Sequence, residues 1–302
     1  VTSGGQDTHA ALRRRGQVCM TLAALAWSIA GVMQRGLHVS TATQMAGRAF
    51  FAWIALTAVS VLEARRAGVS PVRFFRSIGR TGVILAVSMG TASACFVIAL
   101  NHASVANVLF IQALAPFVAV VLSWVFLRER ASRRTWIATA IAVGGVAVMV
   151  GGPHLGSAIG LAAASVMTFL FAVAIVITRH RRDVSMAPAV ALSQLIVFVG
   201  AIGFAHVGSI RGSDLWRLVV LGLFQMGAGQ LFFVIGARLL PASEAALITL
   251  LEVVLGPLWV WLAYRENPGA ATLVGGAIVL VAVAYQATER AAPAGIDAVV
   301  VT

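Results

Sequence analysis

One carboxylate falls near the middle of a long apolar run: Glu252, in the stretch Ala242–Tyr264. A charged side chain at the centre of a hydrocarbon layer costs roughly 2.5–3.5 kcal/mol on insertion scales, so it faces a protein interior or a cavity and is a functional candidate by default. There it could contact a solute, or release a proton as solute binds. It could equally be a structural acid bonded to a neighbouring helix. Thr249, Glu252 and Gly256 share one helix face by their i, i+3, i+7 spacing. Gln112 and Gln225 are isolated amides in other apolar runs, with Gly222 and Gly229 on the face of Gln225 and Gln230 nearby. Such amides hydrogen-bond a solute or glue helices together. Trp27 and Trp53 fall mid-run, where Trp27 either stacks on a ligand or packs as an ordinary aromatic. Arg48, near the start of a run, either gates and binds an anionic group or snorkels to the headgroups. The expected site therefore has Trp27, Gln112, Gln225, Thr249 and Glu252 for binding, Glu252 for proton coupling and Arg48 at a gate or interface.

Enzyme chemistry finds no support. The sequence has no H-E-x-x-H, no G-x-S-x-G and no Walker A motif, and offers no nucleophile–base pair. Cys19 and Cys95 each sit inside an apolar segment without metal-ligand spacing and read as small buried hydrophobes. Neither a metal nor another cofactor is expected.

The elements that must position these side chains follow from composition. The 302 residues are 60% hydrophobic and 11% charged, against roughly a quarter charged in a soluble domain. Too little polar surface remains to cover a water-soluble globule. A net charge of +12 comes entirely from arginine, in short clusters between apolar runs. These are topology signals rather than a basic stripe interleaved with aromatics, so nucleic acid is not an expected partner. A spanning helix needs about 20 apolar residues. Ten candidates are present: Gly16–Leu37, Thr43–Leu62, Gly82–Leu100, Ala103–Leu127, Thr135–Gly151, Ser157–Thr178, Met186–His206, Leu215–Leu240, Ala242–Tyr264 and Ala270–Thr288. The tightest links are Asn101–His102 and Pro241. Arg13, Arg14 and Arg15 precede the first run, which is long and leads into further spans, so an uncleaved helix is expected there. With both ends inside, 17 of the 22 arginines fall on the cytoplasmic side, which supports an even number of spans.

A repeat organises the ten runs. Sliding the sequence by 137 residues aligns Leu100–Met149 with Ala237–Gln286 without a gap. The informative match is Trp124, Arg128 and Glu129 against Trp261, Arg265 and Glu266, because charges at a helix end are rare in apolar sequence. The first run matches the sixth at an offset of 144, pairing Gly16 with Gly160 and Arg35 with Arg179. Five spans per copy forces the halves to enter the membrane in opposite senses, the arrangement of an alternating-access transporter.

Four motifs follow in order: Ala26-Trp27-Ser28, Gly47-Arg48-Ala49-Phe50, the block Leu114-Ala115-Pro116 running to Leu127-Arg128-Glu129-Arg130, and its second copy from Leu239-Leu240-Pro241-Ala242-Ser243 through Leu251-Glu252 to Arg265-Glu266. In these the sequence resembles the drug/metabolite transporter superfamily, specifically its EamA-type exporters. The family commonly has Glu-Pro in span 9. Here Val253 follows Glu252 and the proline comes at Pro257, so a displaced helix break is expected. The resemblance implies cytoplasmic termini, small-metabolite or drug substrates and no bound cofactor. The expected fold is all-α and integral to the membrane, with ten transmembrane helices as two inverted five-helix repeats: a cytoplasmic tail at 1–15, repeats at 16–152 and 153–289, and a second tail at 290–302. The expected function is secondary active export of a small molecule across a bacterial inner membrane, with membrane lipid as surroundings and a homodimer left open. A passive channel, an intramembrane enzyme and a non-transporting scaffold are the alternatives.

Overall fold

The computed structural model describes residues 3–103, 105–129, 131–150, 157–265 and 269–288, and among these there is no strand. The chain runs α1 (Ser3–Ser28), α2 (Ala30–Arg35), α3 (Thr41–Arg66), α4 (Pro71–Ser77), α5 (Gly79–His102), α6 (Val105–Gln112) and α7 (Ala115–Leu122). It continues through a π-helical turn (Ser123–Leu127) into α8 (Arg133–Val150), α9 (Ala158–His180) and α10 (Ala187–Ile202). Then come α11 (Gly212–Val220), a π-helical segment (Leu221–Ala228), α12 (Gly229–Leu239), α13 (Ala242–Thr249), α14 (Leu251–Tyr264) and α15 (Ala270–Ala287).

Eight stretches among the described residues are long and apolar enough to cross a membrane; they correspond to expected spans 1–4, 6 and 8–10. Span 7 forms the shorter apolar helix α10, and span 5 forms α8. The residue distribution explains why lipid suits them. Large apolar side chains such as Phe126, Phe224, Leu262 and Val281 point outward, while the interior is rich in alanine and glycine. Some buried hydroxyls fold back onto their own helices: Ser60 donates to the Leu56 carbonyl at 2.7 Å and Thr168 to Ala164 at 2.9 Å. A helix interior satisfied this way asks nothing of water.

The two halves repeat one another in space. Helices α3 and α10 pack together, as do α8 and α15, while α1 packs on α12 in one half-interface and α9 on α5 in the other. The glycines make the symmetry concrete. A Cβ at Gly16 would lie 2.9 Å from Leu239, and one at Gly160 would lie 2.7 Å from the His102 backbone. Residues 16 and 160 are mates at offset 144, and 102 and 239 are mates at offset 137. Arg128 and Arg265, also mates, end their helices in the left-handed region at φ 55° and 54°, the only described non-glycine residues with positive φ. Gly160 meets backbone whereas Gly16 meets movable leucine side chains. Gly160→Ala is therefore expected to destabilise the protein by about 1–3 kcal/mol and Gly16→Ala by less, read as thermal unfolding in detergent. Equal effects would contradict this packing.

Spans 4 and 9 are each broken in two. Helix α6 stops at Gln112 and α7 starts at Ala115; α13 stops at Thr249 and α14 starts at Leu251. Gln112 and Thr249 are repeat mates, so both copies break at the same place. The displaced break expected from Pro257 is not found: α14 runs through Pro257, and the interruption falls at Leu250, before Glu252. The link at Asn101–His102 falls at the end of α5, and Pro241 precedes α13.

Candidate functional site

The breaks bring the two halves together. Gln112, the last residue of α6, donates its amide N–H to Oε1 of Glu252, the second residue of α14. Both side chains are only half-buried although they lie along candidate spans. Midway along the stretch Ala242–Tyr264, Glu252 has a neutral partner and no arginine, so an ion pair does not occupy it. At each interruption the backbone tightens without opening: the Leu114 N–H donates to the Ile111 carbonyl at 3.0 Å and the Leu250 N–H to the Leu247 carbonyl at 3.1 Å, so the polar groups offered at depth are the side chains of Gln112 and Glu252.

Thr249 is buried at the end of α13, and its hydroxyl donates to the Ala246 carbonyl at 2.7 Å, turned into its own helix. Trp27 is half-buried against Phe171 and Phe233, with ring centroids 5.7 and 5.6 Å away. Its indole lies where a side chain on Gly229 would sit, the Cβ position being 2.5 Å from Nε1. Gln225 is buried in the π-helical segment and its Oε1 has no partner. Nearby in sequence, Gln230 lies 3.5 Å from the Ser193 hydroxyl of α10, and Trp53 stacks on Phe198. Arg48 is 2% exposed, so its guanidinium does not reach the headgroups; it donates to Ser93 Oγ of α5 at 3.2 Å.

Thus the structure joins Gln112 to Glu252, places Thr249 at the break beside them, and keeps Arg48 and Gln225 on the α3 side of the bundle. Two contacts were not expected from the sequence. Trp259 Nε1 donates to Ser28 Oγ at 2.8 Å, tying α14 to α1. At the end of the bundle near the N-terminus, Arg13 pairs with Glu244 at 3.0 Å and Gln17 donates to the same carboxylate at 2.8 Å. Beside them Arg179 pairs with Glu129 at 3.1 Å. An arginine one helical turn ahead of a glutamine in α1, Arg13 and Gln17, was the available signal for the Glu244 contact. Among the described residues no group of three or more His, Cys, Asp or Glu could hold a metal ion.

The profile of the EamA-like transporter family matches residues 14–151 and again 158–286, once for each half. The chain belongs to the EamA-like transporter family. It is accordingly a multi-pass membrane protein of a transporter family, built from two copies of the EamA unit. A solved structure described only as a crystal structure of a protein shares the fold, with a TM-score of 0.77 at 18% identity over 89% of this chain and 95% of that one. No curated protein matches the chain.

Proposed function

We propose that this EamA-family protein is a secondary active exporter of a small metabolite or drug, working by alternating access with proton coupling. In this reading ten spans form two inverted five-helix repeats, 16–152 and 153–289, in a bacterial inner membrane. The tails 1–15 and 290–302 are cytoplasmic, and a homodimer is the natural assembly to test. Trp27, Gln112, Gln225, Thr249 and Glu252 line the solute path, and Glu252 carries the proton.

The observation that carries this reading is the Gln112–Glu252 hydrogen bond across two helices broken at repeat-equivalent positions. Each half supplies one broken helix, so movement of one half against the other must remake that contact. A passive channel would want a continuous polar lining or rings of carbonyls. Here the proposed path offers two separate amides, one hydroxyl and one acid, Gln112, Gln225, Thr249 and Glu252. Purified protein in liposomes is expected to show saturable counterflow for at least one solute in a broad panel. Flux that rises linearly with concentration would favour a channel, and no flux for any solute would favour a scaffold.

A further inference from the structure

Arg48 is a buried cation with no anion beside it among the described residues. It sits about two turns into α3 and is 2% exposed. Its one hydrogen-bond partner in the structure is the neutral Ser93 hydroxyl, and its Nη1 is buried with none. Each carboxylate whose side chain is described goes elsewhere. Glu63 accepts from Ser185, Glu129 from Arg179, Asp183 from Arg181, Asp214 from the His38 backbone, Glu244 from Arg13, and Glu252 from Gln112. A buried charge is expensive unless paired, so a membrane protein that keeps one is holding it for something the chain itself does not supply.

The surroundings of Arg48 point the same way. The helix facing it is the π-helical segment Leu221–Ala228, and a Cβ on Gly222 would lie 2.7 Å from the Arg48 carbonyl oxygen. Single π-helical turns inside α-helices recur at functional sites, because they open the backbone ladder and re-aim side chains. Three residues on from Gly222, Gln225 is buried with an unpartnered Oε1. Arg48 thus keeps an open donor, and Gln225 on the neighbouring segment keeps an open acceptor that would take a donor group of a ligand rather than its carboxylate. A carboxylate is the group a guanidinium fork fits best, through two parallel N–H···O bonds.

We propose that Arg48 is the counter-charge for a solute carboxylate, which makes the transported solute an organic anion. This rests on the transport reading and names its substrate class. In it the ligand-free protein tolerates an unpaired cation for the sake of the loaded one, so removing the cation relieves the empty protein while weakening the bound state.

The test uses a series of amphipathic monocarboxylates, each paired with its own primary amide, on the full chain in detergent and in liposomes. Monocarboxylates should raise the thermal midpoint of the wild type where the matching amides do not. Arg48→Gln should lose that response, with apparent affinity falling on the order of 10- to 100-fold, while its ligand-free midpoint stays level or rises. Arg48→Lys should keep part of the discrimination, since it keeps the charge but not the fork. The proposal is overturned if acids and amides act alike on the wild type, if chloride alone does what the carboxylates do, or if Arg48→Gln lowers the ligand-free midpoint yet keeps the response. Should Arg48→Gln fail to fold, the acid–amide comparison on wild type and Arg48→Lys decides. Saturable transport confined to neutral or cationic solutes would remove this inference and leave the transporter reading standing. Carboxylate binding without any flux would do the reverse.

Discussion

Glu252→Gln is expected to abolish transport driven by a proton gradient while solute exchange between equal pools survives at a reduced rate. Glu252 is the one described acid that lies midway along a candidate span; Glu63, Asp214 and Glu244 lie near the ends of theirs. A proton carried through the bundle needs a titrating group there. A glutamine at 252 keeps the size and can still hydrogen-bond the Gln112 amide, so the contact between the broken helices persists while the titrating oxygen is gone. Gradient-driven flux should therefore fall to the level seen without a gradient. Gln112→Ala should act differently, lowering exchange and gradient-driven flux together, because it removes the contact and leaves the acid. Liposome assays with and without an imposed pH difference separate the two patterns. Wild-type coupling in Glu252→Gln would remove the acid from any proton path.

Much of this architecture is legible in the sequence because it is written in charges at helix ends. The Trp124-Arg128-Glu129 and Trp261-Arg265-Glu266 blocks expose the repeat, and the structure gives both arginines the same left-handed conformation. What resists reading is local backbone geometry. The break before Glu252 lies between Thr249 and Leu251, where no glycine or proline marks it. Pro257 points to the wrong place because one proline can be absorbed inside a helix whose neighbours satisfy the freed carbonyl. In the first copy Pro116 does mark the break, standing in the opening turn of α7. The π-helical segment is equally silent, since a one-residue slip in hydrogen bonding leaves composition unchanged. Arg48 shows a third limit. Its position near the start of a span suits a headgroup contact or a buried one, and only the presence of Ser93 on α5 and the π-helical turn alongside selects the second.

Arg13→Ala is expected to cost about 3 kcal/mol of stability, because it leaves the buried Glu244 carboxylate without its counter-charge. Glu244 is 2% exposed and stands in the first turn of α13, where a carboxylate also favours the helix N-terminus. It accepts from Arg13 at 3.0 Å and from Gln17 at 2.8 Å, one turn apart on α1. The carboxylate thereby clamps the first helix of one half to the broken helix of the other. Glu244→Ala should cost less, since the arginine it leaves behind is the more exposed partner. The double variant should fall short of the sum of the two single losses, the mark of a shared interaction. An additive result in detergent unfolding would show the pair to be a crossing of side chains without energetic consequence. The clamp also bears on transport. If the halves rock against each other, this end must open in one state, and the ion pair must break for it to do so. A weakened clamp should then shift the population towards the state open at this end. Labelling of a cysteine introduced at Ala246, one helical turn from the break, should rise in Glu244→Gln relative to the same cysteine in an otherwise wild-type chain. Unchanged labelling would confine the pair to holding the fold together, with no part in the exchange between states.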